Sequence, residues 1–209
     1  VPSPHVAAVL GADYGVARER ITVARPGTDR AAARASPASL AESAVLARKA
    51  EPPLILAVGI QVLRKGHDVL LSALAHVADR PWQAVIAGAA IDAEHGRLLT
   101  RLTTDLGLSD RVRLTGRVPD EAMRRGLPIV SCTVGAVPDT VAPGAGRLVP
   151  PDDPEAFADA LAALLDDGAT RAEMAAAAAA AAAALPAWAD TARTVATVLD
   201  HVTEENRTG

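Results

Sequence analysis

After Pro53 the chain alternates short apolar runs with longer segments whose apolar residues recur at helical spacing. Each run spans five to seven residues, the length of a buried strand: LILAVG, WQAVIAG, RVRLTG, LPIVSC and GRLVP. DVLLSALAHVADR, between the first two runs, has the helical spacing. Strands alternating with helices predict an α/β fold, a Rossmann-like parallel sheet with helices on both faces. The predicted strands of this single sheet are 54–58, 83–87, 111–115, 128–132 and 147–149.

Helices are predicted on both sides of this alternation. In DDPEAFADALAALLDDG, Asp153 suits an N-cap, Pro154 the first helical position, and Gly168 a position beyond the helix end. Further helices are predicted over 5–14, 68–80, 97–107, 170–185 and 188–202, with Pro186 separating the last two. Before the sheet, ITVA reads as a short strand, and 31–52 is a connector rich in Ala, Ser and Pro.

The link between RVRLTG and LPIVSC is unusually short. Only eight residues, Pro119 to Gly126, separate the presumed strand ends. A crossover between parallel strands needs at least roughly 10 to 12 residues, and PDEAMRRG is no tight hairpin turn. We therefore expect part of the fold to be absent from the chain here, with an interrupted backbone between Val118 and Ala122.

Composition narrows the class of protein. Half of the residues are apolar but only 2% are aromatic, so the core must be built from Ala, Val and Leu. The net charge of -4 argues against a nucleic-acid partner. The single cysteine, Cys132, excludes an internal disulfide, and no apolar run resembles a membrane span or a signal peptide. These features predict a cytoplasmic location.

Arg64 and Lys65 form a candidate anion site. They stand directly before a predicted helix whose N-cap is His67 or Asp68, where the helix dipole opposes two cations. A phosphate would reverse that repulsion, because backbone N–H groups and both cations would converge on its oxygens. A solvated basic pair is the alternative. The five histidines have no metal-ligand spacing with Cys132, and LAVGIQVLRKG lacks the G-x-G-x-x-G pattern of dinucleotide sites.

Six blocks between about residues 21 and 166 resemble, in the correct order, the C-terminal domain of GT-B glycosyltransferases of the retaining family 4. They are ITVARPGTD, LAVGIQVLRKGHDVLLSAL, VIAG, LGLSDRVRLTGRV, EAMRRGLPIVSCTVGAVPDTV and GRLVPPDDPEAFADAL. The resemblance implies transfer of a hexose from a nucleotide diphosphate sugar to an acceptor with retention, without a cofactor or a metal ion. Basic residues and helix dipoles would take the charge of the departing diphosphate.

The resemblance also assigns roles to individual residues. Lys65 falls on the family's diphosphate-binding lysine, with Arg64 beside it, whereas Ile60 stands where many members have a further arginine. Glu121 corresponds to the ribose-binding glutamate, although an ordinary glutamate at a helix N-terminus is the alternative. Arg117 and Val118 lie in the turn that holds the base, although a plain strand-to-loop turn is again the alternative.

The chain departs from the family in two places. Between GRVPD and EAMRRG, members carry a further strand, a loop and half a helix, about 25 to 30 residues, and with them the first Glu of an E-x7-E signature. The sequence also contains no blocks that resemble most of the family's N-terminal acceptor domain. We therefore expect the chain alone to be inactive, and a non-catalytic module that binds a nucleotide or nucleotide sugar is the rival hypothesis.

The resemblance suggests that the chain divides into four parts, and it also suggests which partners bind the protein. A remnant of the N-terminal domain and the interdomain segment (1–33) and a linker (34–52) precede the nucleotide-sugar-binding domain (53–185). The last helix (186–209) would pack back toward the N-terminal domain, with Trp188, Val195 and Leu199 against residues 1–16. The expected partners are a nucleotide sugar, an unknown acceptor and, through the N-terminal domain, a membrane surface.

Overall fold

The structure is a computed structural model that describes residues 1–28, 52–116 and 127–208. Its strands are β1 (Leu54–Val58), β2 (Gln83–Ala87), β3 (Val112–Thr115), β4 (Ile129–Cys132) and β5 (Gly146–Val149). Its α-helices are α1 (Pro4–Tyr14), α2 (His67–His76), α3 (Ala93–Asp105), α4 (Val137–Thr140), α5 (Pro154–Asp166), α6 (Gly168–Ala183) and α7 (Trp188–Thr208). The linker prediction, 34–52, lies outside the described residues except for Pro52, as does the predicted backbone interruption between Val118 and Ala122.

The described strands pair only in parallel, as predicted. β2 lies between β1 and β3, with Leu56 opposite Val85 and Ile86 opposite Leu114. β4 pairs with β5, where Val130 lies opposite Arg147. The prediction of a parallel α/β fold is thus confirmed, and 111–115 does not form an antiparallel pair with 128–132.

The prediction of one continuous sheet is wrong, because the described strands form two sheets, β1-β2-β3 and β4-β5. No hydrogen-bonded ladder joins β1 to β4 in these parts of the chain. The outer strands also leave large apolar side chains uncovered, Leu54 at 52% and Ile129 at 38% exposure. A further strand with its crossover would need at least roughly 10 to 12 residues, and only eight separate the presumed strand ends.

One hydrophobic core nevertheless spans both sheets. Helix α2 packs on α5, and α5 packs on β4 and β5. Leu71 and Ile86 are fully buried in a cluster that also takes in Leu161 of α5 and, at its margin, Val130 of β4. The shared helix layer therefore holds the two sheets together where strand pairing does not.

The helix termini follow from local side-chain hydrogen bonds. Asp153 caps α5 as predicted, with its carboxylate accepting from Ala156 N at 2.9 Å. Gly168 lies beyond the end of α5, as predicted, and it also begins α6, because Asp167 caps that helix through Ala169 N. Helix α3 begins before the predicted residue 97, because Asp92 accepts from Glu94 N and His95 N.

Residues 1–28 contact the start of α7. ITVA, predicted as a strand, lies outside the sheets and its Ala24 N donates to Val1 O at 2.9 Å. Thr28 N donates to Pro186 O at 2.8 Å, and a Cβ on Gly27 would lie 2.3 Å from Trp188 N.

The side chains of the expected apolar stripe on α7 stay largely exposed instead of being buried on residues 1–16, with Trp188 at 55%, Val195 at 45% and Leu199 at 60%. The proposed division into four parts remains a prediction.

No helix in the described ranges is both long and apolar enough to cross a bilayer. The cytoplasmic location and the contact with a membrane surface remain predictions.

The carboxyl ends of β1 and β2 come together at two glycines. Gly59 N donates to Ala87 O at 2.9 Å, which continues the ladder beyond β1. A Cβ on Gly88 would lie 1.9 Å from Gly59 O, far closer than any side-chain atom can approach a carbonyl oxygen. Only glycine at position 88 therefore allows this spacing.

Replacing Gly88 with alanine should force the ends of β1 and β2 apart. We expect Gly88→Ala to lower the free energy of unfolding by about 3 kcal/mol, measured by urea denaturation followed by circular dichroism. Gly116, which follows β3, is the matched control because a Cβ there would meet no atom of the described residues within 4 Å. Gly116→Ala should cost less than about 1 kcal/mol. Equal losses for the two variants would contradict the close approach.

Candidate functional site

The turn that follows β1 folds back over the carboxyl edge of the three-stranded sheet. It runs from Gly59 through a 3₁₀ turn at Leu63–Lys65 to Gly66, which has a left-handed φ of 62°. A Cβ placed on Gly59 would lie 3.7 Å from Lys65 Cδ. The aliphatic stem of Lys65 thus lies across the end of β1, which brings its ammonium group to the edge where open α/β sheets bind ligands.

The N-terminus of α2 lies in the same place and has no side-chain cap. The predicted N-cap, His67 or Asp68, is wrong, because the helix begins at His67 and Gly66 takes the cap position. Gly66 is favoured there by its left-handed conformation, but it has no side chain to accept from the first-turn N–H groups. Aspartate side chains cap the N-termini of α3, α5 and α6. The N-terminus of α2 has no such cap, so its first-turn N–H groups remain available to an anion.

Arg64 and Lys65 add two cations to this helix N-terminus. Both side chains are exposed, and neither makes a hydrogen bond or ion pair with another described residue. Cations at a helix N-terminus are repelled by the dipole at a cost of about 0.3 to 1 kcal/mol each. The arrangement can therefore bind an anion with charge-assisted hydrogen bonds.

Two buried histidines lie beneath this cationic turn. His67, in the first turn of α2, is 4% exposed, and His95, in the first turn of α3, is 5% exposed. Neither His67 Nδ1 nor His95 Nε2 has a hydrogen-bond partner among the described groups. Burial lowers the pKa of His67, and nearby His95 and Lys65 lower it further, whereas Asp68 acts in the opposite direction.

Gln61 is a buried polar residue that the sequence did not single out. Its side chain is 5% exposed and its Nε2 donates to Gly88 O at 3.0 Å and to Thr115 O at 3.4 Å. It thereby joins the segments that follow β1 and β2 to the end of β3. An amide inside the apolar stretch LAVGIQVL was the available signal, because a buried polar group requires partners.

Three of the five predicted site residues, Arg117, Val118 and Glu121, lie outside the described residues. The structure therefore brings together only Arg64 and Lys65, at the carboxyl edge of β1. β3 ends at Thr115 on the same edge, one residue before Gly116. The proposed base and ribose contacts remain predictions.

No group of three His, Cys, Asp or Glu side chains in the described ranges gathers where it could hold a metal ion.

Comparison with known proteins gives one family and related enzymes. The profile of the family described as Glycosyl transferases group 1 matches residues 40–122 and 116–181. The D-inositol 3-phosphate glycosyltransferase of Xylanimonas cellulosilytica is 33% identical over 196 residues, which cover 78% of this chain and 47% of that protein. Its counterpart from Frankia alni is 32% identical, with 90% of this chain and 54% of that protein covered. The chain thus spans about half the length of the curated relatives it matches.

Solved structures show the same fold at lower identity. A glycosyltransferase from Rickettsia africae has a TM-score of 0.80 at 17% identity, covering 96% of this chain and 62% of its own. Anabaena HepE, solved in complex with UDP, has a TM-score of 0.79 at 21% identity, covering 96% and 63%. These likenesses concern the fold, which they identify as GT-B.

The alignments also bear on the short link after β3. The 196 positions aligned with the Xylanimonas protein cover 78% of 209 residues, about 163, so about 33 positions have no counterpart here. The Frankia alignment, with 226 positions covering 90% of the chain, or about 188 residues, leaves about 38. The two matches to the family profile meet and overlap at 116–122. This agrees with the expectation that relatives carry an additional segment there.

The buried position of His67 should make stability depend on pH. Its pKa lies below the ordinary value of 6.5 in the folded chain, so the unfolded chain binds more protons as the pH falls through 6.5. The stability contributed by neutral His67 is present above pH 6.5 and is lost as the pH falls toward the lowered pKa. We expect His67→Gln to lose less unfolding free energy between about pH 7.5 and pH 5.5 than the unchanged chain, measured by urea denaturation.

An equal loss of unfolding free energy in the unchanged chain and in His67→Gln would show that His67 is not the titrating group.

Proposed function

Because the chain belongs to the glycosyl transferases group 1 family, we propose that its carboxyl edge binds the diphosphate of a nucleotide sugar. In this proposal the chain is the donor-binding part of a GT-B glycosyltransferase. The whole enzyme transfers a hexose from the nucleotide sugar to an acceptor with retention of configuration at the anomeric carbon.

One observation carries the proposal, the position of Lys65 over Gly59 beside the uncapped N-terminus of α2. The absence of a side chain at Gly59 leaves room for the lysine stem, and Gly66 leaves the first-turn N–H groups of α2 without a competing cap. A diphosphate at this edge would accept hydrogen bonds from both the ammonium group and the helix. HepE, which shares the fold, was solved with UDP, and this supports a nucleotide ligand of the same class.

The same groups suit the chemistry of sugar transfer. When the bond between the anomeric carbon and the diphosphate oxygen breaks, its electron pair goes to that oxygen and negative charge accumulates on the leaving group. Lys65, Arg64 and the dipole of α2 would stabilise this charge as it develops, and groups fixed before reaction do so most effectively. Ile60 follows Gly59 at the position where many members of the family have an arginine. Arg64 would therefore provide the second cation in this chain.

A binding module without catalysis is the second candidate. It is favoured by the roughly 33 positions that the Xylanimonas relative has and this chain lacks, which by resemblance would include one glutamate of the E-x7-E signature. A chain that binds UDP-hexoses but does not hydrolyse or transfer the hexose supports this alternative for the isolated chain. Release of hexose or UDP above the uncatalysed rate would instead show that these positions are dispensable for turnover.

Removing the lysine should weaken binding of phosphate-bearing ligands selectively. We expect Lys65→Ala to lower the affinity for UDP, GDP or ADP about ten- to a hundredfold, or about 1.5 to 3 kcal/mol, because a charge-assisted hydrogen bond to phosphate is lost. Isothermal titration calorimetry with the three diphosphates and the matching nucleosides measures this effect. Nucleoside affinity should hardly change.

Arg101, an exposed cation in the third turn of α3, is the control for a general loss of positive charge. Arg101→Ala should leave nucleoside diphosphate affinity within about twofold, since exposed charges at a distance are screened. If Lys65→Ala weakened nucleoside and nucleotide binding equally, or if none of the diphosphates bound the unchanged chain, the phosphate site would be wrong.

A further inference from the structure

Gln61 connects three consecutive strand ends at the carboxyl edge. Its backbone N donates to Ala89 O at 2.9 Å, just beyond β2. Its side-chain Nε2 donates to Gly88 O at 3.0 Å and to Thr115 O, the last carbonyl of β3, at 3.4 Å. Gly88 N donates to that same Thr115 oxygen at 3.2 Å, so the end of β3 is held by two donors from neighbouring segments.

The side chain of Gln61 is enclosed on its other side by α3. A Cβ placed on Gly96, in the second turn of α3, would lie 3.9 Å from Gln61 Oε1. Because Gln61 is only 5% exposed, water cannot take the place of its amide as the donor to Gly88 O. An apolar side chain of similar size would fill the space but leave this carbonyl without the bond.

Gln61 also belongs to the turn that carries the proposed phosphate groups. Lys65 lies four residues later, over Gly59 at the end of β1. The segment 59–66 therefore holds the phosphate-binding cations at one end of the site. Through Gln61 the same segment also fixes the end of β3, from which the chain continues to Gly116 at the other end of the proposed site.

We propose that Gln61 is a positioning residue that sets the end of β3 relative to Lys65, and thereby the spacing between the base and the diphosphate of a bound nucleotide. This inference rests on the proposed function. Gln61 does not touch the ligand in this proposal and acts through the carbonyls of Gly88 and Thr115. It should therefore affect ligands that contain both a base and a diphosphate, and spare a diphosphate alone.

Calorimetry with UDP and with inorganic pyrophosphate separates these two effects. For Gln61→Leu we expect UDP affinity to fall about tenfold, the effect of one lost buried hydrogen bond, while pyrophosphate affinity stays within about twofold. Gln83 is the matched control, because it is an exposed glutamine at the opposite, amino edge of the same sheet. Gln83→Leu should change neither affinity.

Gln61→Glu tests the donor role directly. A carboxylate can only accept hydrogen bonds, whereas a protonated carboxyl group can donate to Gly88 O as the amide does. The ratio of UDP to pyrophosphate affinity in this variant, divided by the same ratio in the unchanged chain, should rise as the pH falls from about 8 to about 5.5. For Gln61→Leu the corresponding quotient should stay constant.

The outcomes distinguish this inference from the proposed function. If the unchanged chain binds UDP, Lys65→Ala weakens it, and Gln61→Leu loses UDP and pyrophosphate affinity equally or not at all, the positioning role alone is overturned. If the unchanged chain binds neither ligand, the proposed function fails and this inference fails with it. Should Gln61→Leu not fold, Gln61→Glu still decides, because a pH-independent quotient there would also overturn the proposal.

Discussion

The backbone contact between Gly59 and Gly88 is the constraint on which the carboxyl edge depends. Because Gly88 has no side chain, the carbonyl of Gly59 can lie against it and the ends of β1 and β2 remain together beyond their ladder. At this close approach Gln61 Nε2 donates to Gly88 O at 3.0 Å. The stem of Lys65 can in turn cross the end of β1 because Gly59 also lacks a side chain. Small residues here determine where charged ones can act.

The sequence predicts best those features that depend on neighbouring residues. Asp153 before Pro154 defines the start of α5 because a cap needs only a carboxylate and the next three N–H groups. Arg64 and Lys65 likewise precede a helix that its own periodicity reveals. The sequence places the start of α3 too late, because AAIDAEHG has little apolar periodicity, although Asp92 provides the cap. Gln61 was overlooked because its partners lie 27 and 54 residues away.

The division into two sheets was not predictable from the same signals. Apolar runs identify strands and their buried character, but they do not specify which strands are neighbours. Pairing between β1 and β4 would involve residues more than 70 positions apart, and periodicity contains no information on such contacts. What unites the two sheets is the packing of α2 on α5, whose apolar faces bury a common cluster. A helix layer can thus preserve one core where strand pairing is interrupted.

The proposed phosphate contacts and the proposed base and ribose contacts depend on different segments of the chain. The groups proposed to bind phosphate lie within the eight residues from Gly59 to Gly66 and the first turn of α2, so their geometry is set by β1, β2 and one turn. The base and ribose contacts proposed for Arg117, Val118 and Glu121 depend instead on the segment after β3, which lies outside the described residues. Diphosphate contacts are common to all nucleoside diphosphate sugars, whereas base contacts distinguish those with different bases. In the proposed site, a chain shortened after β3 would therefore keep the diphosphate contacts and lose discrimination among nucleotides first.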